Sequence, residues 1–127
     1  MKVAYVDTSV LVAVAFGETE SEEIARKLEG FDRLLTSNLT EAEFRSVLVR
    51  ERVENAGVEL LARLSWVLPN RPLTSEIDRV AAIGYVRGAD LWHLACALFV
   101  SPQPGEISFL SLDGRQTEVA RMLGFSH

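Results

Sequence analysis

Residues Val3 to Gly17 read VAYVDTSVLVAVAFG: an apolar run, one carboxylate, two hydroxyls, and a second apolar run closed by glycine. A first run this short suits a buried strand, and the second, after a polar break, suits a helix. The pattern delivers Asp7 to the C-terminal end of the strand and turns through Thr8 and Ser9. An acid in that place either caps the helix or takes part in chemistry. Thr8 and Ser9 are the better caps, which leaves the Asp7 carboxylate free.

Outward from this stretch, Thr19 to Glu29 (TESEEIARKLE) has Ile24 and Leu28 four residues apart and acids in its first turn, where a helix dipole favours them. It reads as an amphipathic surface helix with a Thr19/Glu22 capping box and a closing Gly30. Arg33 to Thr36 is a short apolar strand stopped by Ser37-Asn38. Leu39 to Gly57 follows as a helix capped by Thr40, with Glu43 at the reciprocal capping-box position, a Leu39/Phe44 staple, and Phe44, Val47 and Leu48 facing inward. Helical spacing resumes from Val58 to Val67, with a short edge strand near Trp66 to Leu68 where two prolines then intervene. Thr74 or Ser75 caps a helix running to Tyr85. Asp90 to Val100 (DLWHLACALFV) is apolar nearly all round and belongs at the centre. Ile107 to Leu112 is a further buried strand, and Gln116 to Leu123 a last helix closed by Gly124.

Strands that are apolar throughout and separated by helices indicate an α/β fold, a parallel sheet of about four to five strands with helices on both faces. The chain of 127 residues, 48% hydrophobic, suits one domain, 1–127, with a core able to fold unaided. Cys96, the single cysteine, sits among apolar neighbours as a structural thiol. Neither a secretory signal nor an apolar run of membrane-spanning length stands out, so a cytoplasmic protein without membrane association is expected. The net charge of -5 opposes bulk electrostatic capture of nucleic acid. It is compatible with an acidic metal site.

Four acids qualify for such a site. In a parallel sheet, strand C-termini and the N-termini of the following helices share one edge, where ligands bind. Asp7 and Asp113 end strands, while Glu43 and Asp90 open helices, so one edge receives all four. Each has a structural explanation of its own: Glu43 completes a capping box, Asp90 suits an N-cap, and Asp113 lies in a Leu112-Asp113-Gly114 turn and caps the last helix beside Gln116. Gathered carboxylates repel one another unless a cation with a taste for oxygen ligands joins them.

At these residues the chain resembles the PIN-domain ribonucleases, and among them the VapC-type toxins of toxin-antitoxin pairs. VDTSVLVAVAFGE is similar to the family's opening motif, SNLTEAEFRSVL to the second, RGADLWHLACAL to the third and LSLDGRQTEVARMLGF to the fourth, over essentially the whole chain. The resemblance implies a PIN-like domain and a metal site of Asp7, Glu43, Asp90 and Asp113, with Ser9 beside it. It further implies Mg²⁺ or Mn²⁺ as cofactor, hydrolysis of RNA phosphodiester bonds, a homodimer, and inhibition by a VapB-like antitoxin. Some relatives carry further acids where this chain has His93 and Arg115. His93, one turn after Asp90, reads as a packed histidine or a donor to Asp90 or substrate, and Arg87 and Arg115 as phosphate contacts or solvated side chains.

Two other classes share parts of the pattern. A phosphoaspartate phosphatase wants a second acid two residues after the first, where Ser9 stands, and a receiver wants a lysine near the last strand, whereas Lys2 and Lys27 are the only lysines. A PIN-like module without turnover keeps the fold but has no need of all four acids.

Overall fold

The computed structural model describes residues 1–127. Four strands, β1 (Val3–Val6), β2 (Arg33–Ser37), β3 (Leu64–Val67) and β4 (Ser108–Leu110), form one sheet of order β3-β2-β1-β4. Every pairing is parallel. Seven α-helices surround it: α1 (Thr8–Ala15), α2 (Ser21–Glu29), α3 (Asn38–Arg50), α4 (Val58–Arg63), α5 (Thr74–Ile83), α6 (Gly88–Val100) and α7 (Gly114–Leu123).

Because successive strand residues point to opposite faces, a strand apolar at every position must be covered on both. Ala4 and Val6 of β1 join Leu34, Leu64 and Leu110 against Val10 and Leu11 of α1, Leu28 of α2, and Phe44 and Leu48 of α3. Tyr5, between them, joins Leu35, Val67 and Phe109 on the other face, against Val80 of α5, Leu94 to Leu98 of α6, and Val119 and Leu123 of α7. Helix α6 is central, as its all-round apolar sequence requires, with His93 to Leu98 all buried. Burial pushes the Cys96 thiol up to about 12, so it stays a neutral packing group. No helix is long and apolar enough to cross a membrane.

Several local expectations are corrected. The stretch after α4 stops being helical at Arg63, because Leu64–Val67 pair in register with Leu34–Ser37 and sheet pairing overrides the helical spacing of Leu60, Leu61, Leu64 and Val67. The edge strand thus begins earlier than Trp66. The Thr19/Glu22 capping box does not form: α2 starts at Ser21 after Glu20, which is left-handed at φ 68° and makes no side-chain cap. Helix α5 ends at Ile83, leaving Tyr85 exposed.

Helix α3 is tied to the following 3₁₀ turn, Glu54–Gly57, by a close approach. A Cβ on Gly57 would lie 2.6 Å from Leu48 Cδ1 and 3.0 Å from Phe44 Cε2, and both of those side chains are themselves fully packed. Gly57→Ala is therefore expected to cost about 1–3 kcal/mol, the usual range for overpacking, as a lower midpoint in urea with an unchanged slope. A wild-type midpoint would show that the turn can move away.

Candidate active site

The order β3-β2-β1-β4 places the chain's change of direction between β1 and β4, whose C-terminal ends border the crevice where open parallel sheets bind ligands. Val6 pairs with Leu110, and the Asp7 N–H donates to the Leu110 carbonyl at 2.9 Å. Asp7 thus leaves β1 beside the loop that leaves β4. The Leu112 N–H donates to Ser9 Oγ at 3.1 Å, fastening the two loops together.

Asp7 is 6% exposed. Contrary to expectation, it is the N-cap of α1: Oδ2 accepts from the Ser9 N–H at 3.1 Å. The hydroxyls of Thr8 and Ser9 are directed elsewhere, Thr8 to Glu43 and Ser9 to Leu112. Capping and ligation are compatible here, because Oδ1 receives only a long hydrogen bond from Gln116 Nε2, at 3.4 Å.

Glu43 does not close a capping box. Helix α3 begins at Asn38 after an extended Ser37, so Thr40 lies inside the first turn, fully buried, bonded to Thr36 at 2.7 Å and to Thr8 at 3.1 Å. The Leu39/Phe44 staple is absent for the same reason. Glu43 turns toward the sheet edge, its Oε1 accepting from the Thr8 hydroxyl at 2.8 Å with His93 Nε2 at 3.2 Å.

Asp90 is not an N-cap either. Helix α6 starts at Gly88 after Arg87, placing Asp90 in the first turn, where the dipole favours an acid. Its pKa is nonetheless raised, first by partial burial and then by the Asp7 and Asp113 carboxylates, with Arg87 and His93 opposing. Those influences bring Asp7, Asp90 and Asp113 into one electrostatic neighbourhood. Asp113 caps α7 as expected, Oδ1 accepting from the Gln116 N–H at 2.8 Å. Arg87 Nε stands 3.7 Å from Asp90 and is largely exposed, whereas Arg115 is engaged with the Tyr85 carbonyl at 2.9 Å.

Two residues that sequence reasoning left aside hold the cluster together. Gln116, completely buried, spans three groups: its amide N–H donates to Asp7 Oδ1 and to the Asp90 carbonyl at 3.3 Å, and its Oε1 accepts from Ser111 at 2.6 Å. Only its place as the Asp113 cap partner is visible in the sequence. Tyr5, hidden in an apolar strand, touches His93 Nδ1 at 2.7 Å. His93 itself faces Glu43 and Asp7, at 3.2 and 3.7 Å, rather than Asp90.

Residues 4–122 match the family model described as the PIN domain. The chain belongs to the PIN domain family. No curated protein matches it. PIN domains are generally nucleases, hydrolases of nucleic acid that typically use divalent metals. In this PIN domain no three His, Cys, Asp or Glu side chains stand ready at ligand spacing; Asp7, Glu43 and Asp113 each accept a hydrogen bond from the protein. The donor set is all oxygen and mutually repelling, which fits a hard divalent cation.

The raised Asp90 pKa has a measurable sign. A carboxyl whose folded pKa lies above its unfolded value favours folding below the unfolded value and loses that contribution as pH rises through the folded one. Asp90→Asn in metal-free buffer is therefore expected to raise the thermal midpoint at neutral pH, with the gain vanishing as acid protonates the wild-type residue. A difference that does not change with pH would contradict the repulsion.

Proposed function

We propose that the chain is a metal-dependent endoribonuclease of the VapC toxin type. The observation that carries this is the placement of Asp7 and Asp113 at the neighbouring ends of β1 and β4 in a PIN fold, with Asp90 near enough for both to raise its pKa and Glu43 turned toward the same edge.

Asp7, Asp90 and Asp113 are the residues to hold Mg²⁺ or Mn²⁺, with Glu43 beside them. When bound there, such an ion lowers the pKa of a water and offsets charge on a phosphate. Asp7 is positioned for this by its cap, which aims Oδ2 at the α1 backbone and leaves Oδ1 the freer oxygen. Glu43, with Oε1 engaged, presents its other oxygen to accept a hydrogen bond from the attacking water and fix its line of approach. Ser9 Oγ, which accepts from Leu112, keeps its own hydrogen for a phosphate oxygen or a ligand carboxylate. Arg87, exposed and near Asp90, is the cation placed to reach a phosphate; Arg115, tied to Tyr85, serves structure first.

Glu43, Asp90 and Asp113 are partly exposed along the sheet edge, within reach of a polymer. Single-stranded RNA is the substrate this suits. Val49 and Val58 lie exposed beside a cavity of about 280 Å³ that also has Leu48 and Leu61 in its wall. This apolar surface supports the homodimer and antitoxin contacts of the toxin reading.

Asp7→Asn keeps an oxygen for the cap but replaces the ligand carboxylate with a neutral amide. It is expected to lower RNA cleavage more than about 100-fold, the scale for losing one group that stabilises transition-state charge, with an unchanged circular dichroism spectrum. Full activity in this variant, or undiminished wild-type cleavage in EDTA, would sink the assignment.

A further inference from the structure

Two hydrogen-bond chains end on the same oxygen of Glu43, and counting their protons fixes an otherwise ambiguous imidazole. Tyr5 Oη lies 3.2 Å from the Ser37 N–H and 2.7 Å from His93 Nδ1. A backbone N–H only donates, so Tyr5 Oη accepts from Ser37; the Glu43 carboxylate facing Nε2 can only accept, so Nε2 holds the ring proton and Nδ1 is left to accept the phenol hydrogen. That hydrogen is secure, because burial above all drives the phenol pKa well above its ordinary value. With Nδ1 an acceptor, the neutral ring carries its proton on Nε2. Nε2–H then donates to Glu43 Oε1 at 3.2 Å, with Asp7 Oδ1 farther off at 3.7 Å.

The second chain converges from the opposite side. Thr8 has one hydroxyl hydrogen, and the Glu43 carboxylate at 2.8 Å is its strongest acceptor. The 3.1 Å contact between Thr8 and Thr40 is then filled by the Thr40 hydrogen, and the 2.7 Å contact between Thr40 and Thr36 by that of Thr36. Every member of both chains is buried or half-buried, and both chains start at the end of β2.

We infer that Tyr5 and His93 form a positioning relay, holding His93 as the Nε2–H tautomer so that it and Thr8 pin Glu43 by Oε1 and leave its second oxygen aimed into the site. His93 is thus a positioning residue rather than a catalytic one, since it acts through Glu43. The relay rests on the nuclease reading for its purpose, but not for its geometry.

The test has a spectroscopic arm and a kinetic arm. Long-range ¹H–¹⁵N correlation of the metal-free wild type at about pH 8, where an ordinary histidine is neutral, is expected to show a bare Nδ1 and a protonated Nε2 at His93. Tyr5→Phe, which removes the donor to Nδ1, is expected to shift the Nδ1 resonance. On the nuclease side, His93→Leu is expected to lower kcat about 10- to 100-fold with KM within about twofold. His93→Gln, whose amide N–H takes the place of Nε2–H, restores most of that loss, which a merely structural histidine would not predict. A protonated Nδ1, a His93→Leu variant with wild-type kcat, or a His93→Gln variant no better than Leu would overturn the relay. A wild type without RNA cleavage contradicts the nuclease reading alone, and the tautomer then decides the relay by itself.

Discussion

A carboxylate 6% exposed at the end of a central strand is the constraint on which the rest of the molecule depends. Removing Asp7 from water is unfavourable unless donors replace the lost hydration. The fold supplies them from two directions, the first turn of α1 through the Ser9 N–H and α7 through Gln116, while His93 of α6 stands 3.7 Å from Oδ1. The two donors come from different segments, so the acid also acts as a fixed point between α1 and α7. The buried polar residues Thr36, Thr40, His93 and Gln116 gather near this end of the sheet, while most of the remaining core is apolar.

The parallel sheet provides the other half of the arrangement. Pairing β1 directly with β4 brings Asp7 and Asp113 to adjacent strand ends, though over a hundred residues separate them in sequence. Helix α6, packed against β2 on the Tyr5 face, brings Asp90 in from that side, and α3 brings Glu43 from the other. The site is therefore assembled across both layers, and neither face alone contains it.

Much of this is legible in the sequence, for identifiable reasons. Strands that are mostly apolar rather than alternating announce a sheet covered twice, and Asp7 and Asp113 stand out because each closes such a run of sequence. What fails is the assignment of short-range hydrogen bonds. The spacing Thr40-x-x-Glu43 is the same whether Thr40 caps a helix or lies one turn inside it, and only the extended Ser37 ending β2 decides that the helix begins earlier. Thr8 and Ser9 look like caps because hydroxyls usually are, yet Asp7 reaches the Ser9 N–H and frees both for longer contacts. Leu64 to Val67 continues a helical period and becomes a strand because β2 offers an unpaired edge. Gln116 and Tyr5 leave almost no local trace, since their partners are 109 and 88 residues away.

The proposed nuclease requires the acids on this edge to share a divalent cation. Anomalous diffraction from crystals soaked in Mn²⁺ tests it most directly. A single strong peak, or two adjacent ones, is expected with oxygens of Asp7, Asp90 and Asp113 within about 2.0–2.4 Å, the range for hard cations and carboxylates. Saturating Mn²⁺ that leaves the three carboxylates apart, with no peak between them, would contradict it.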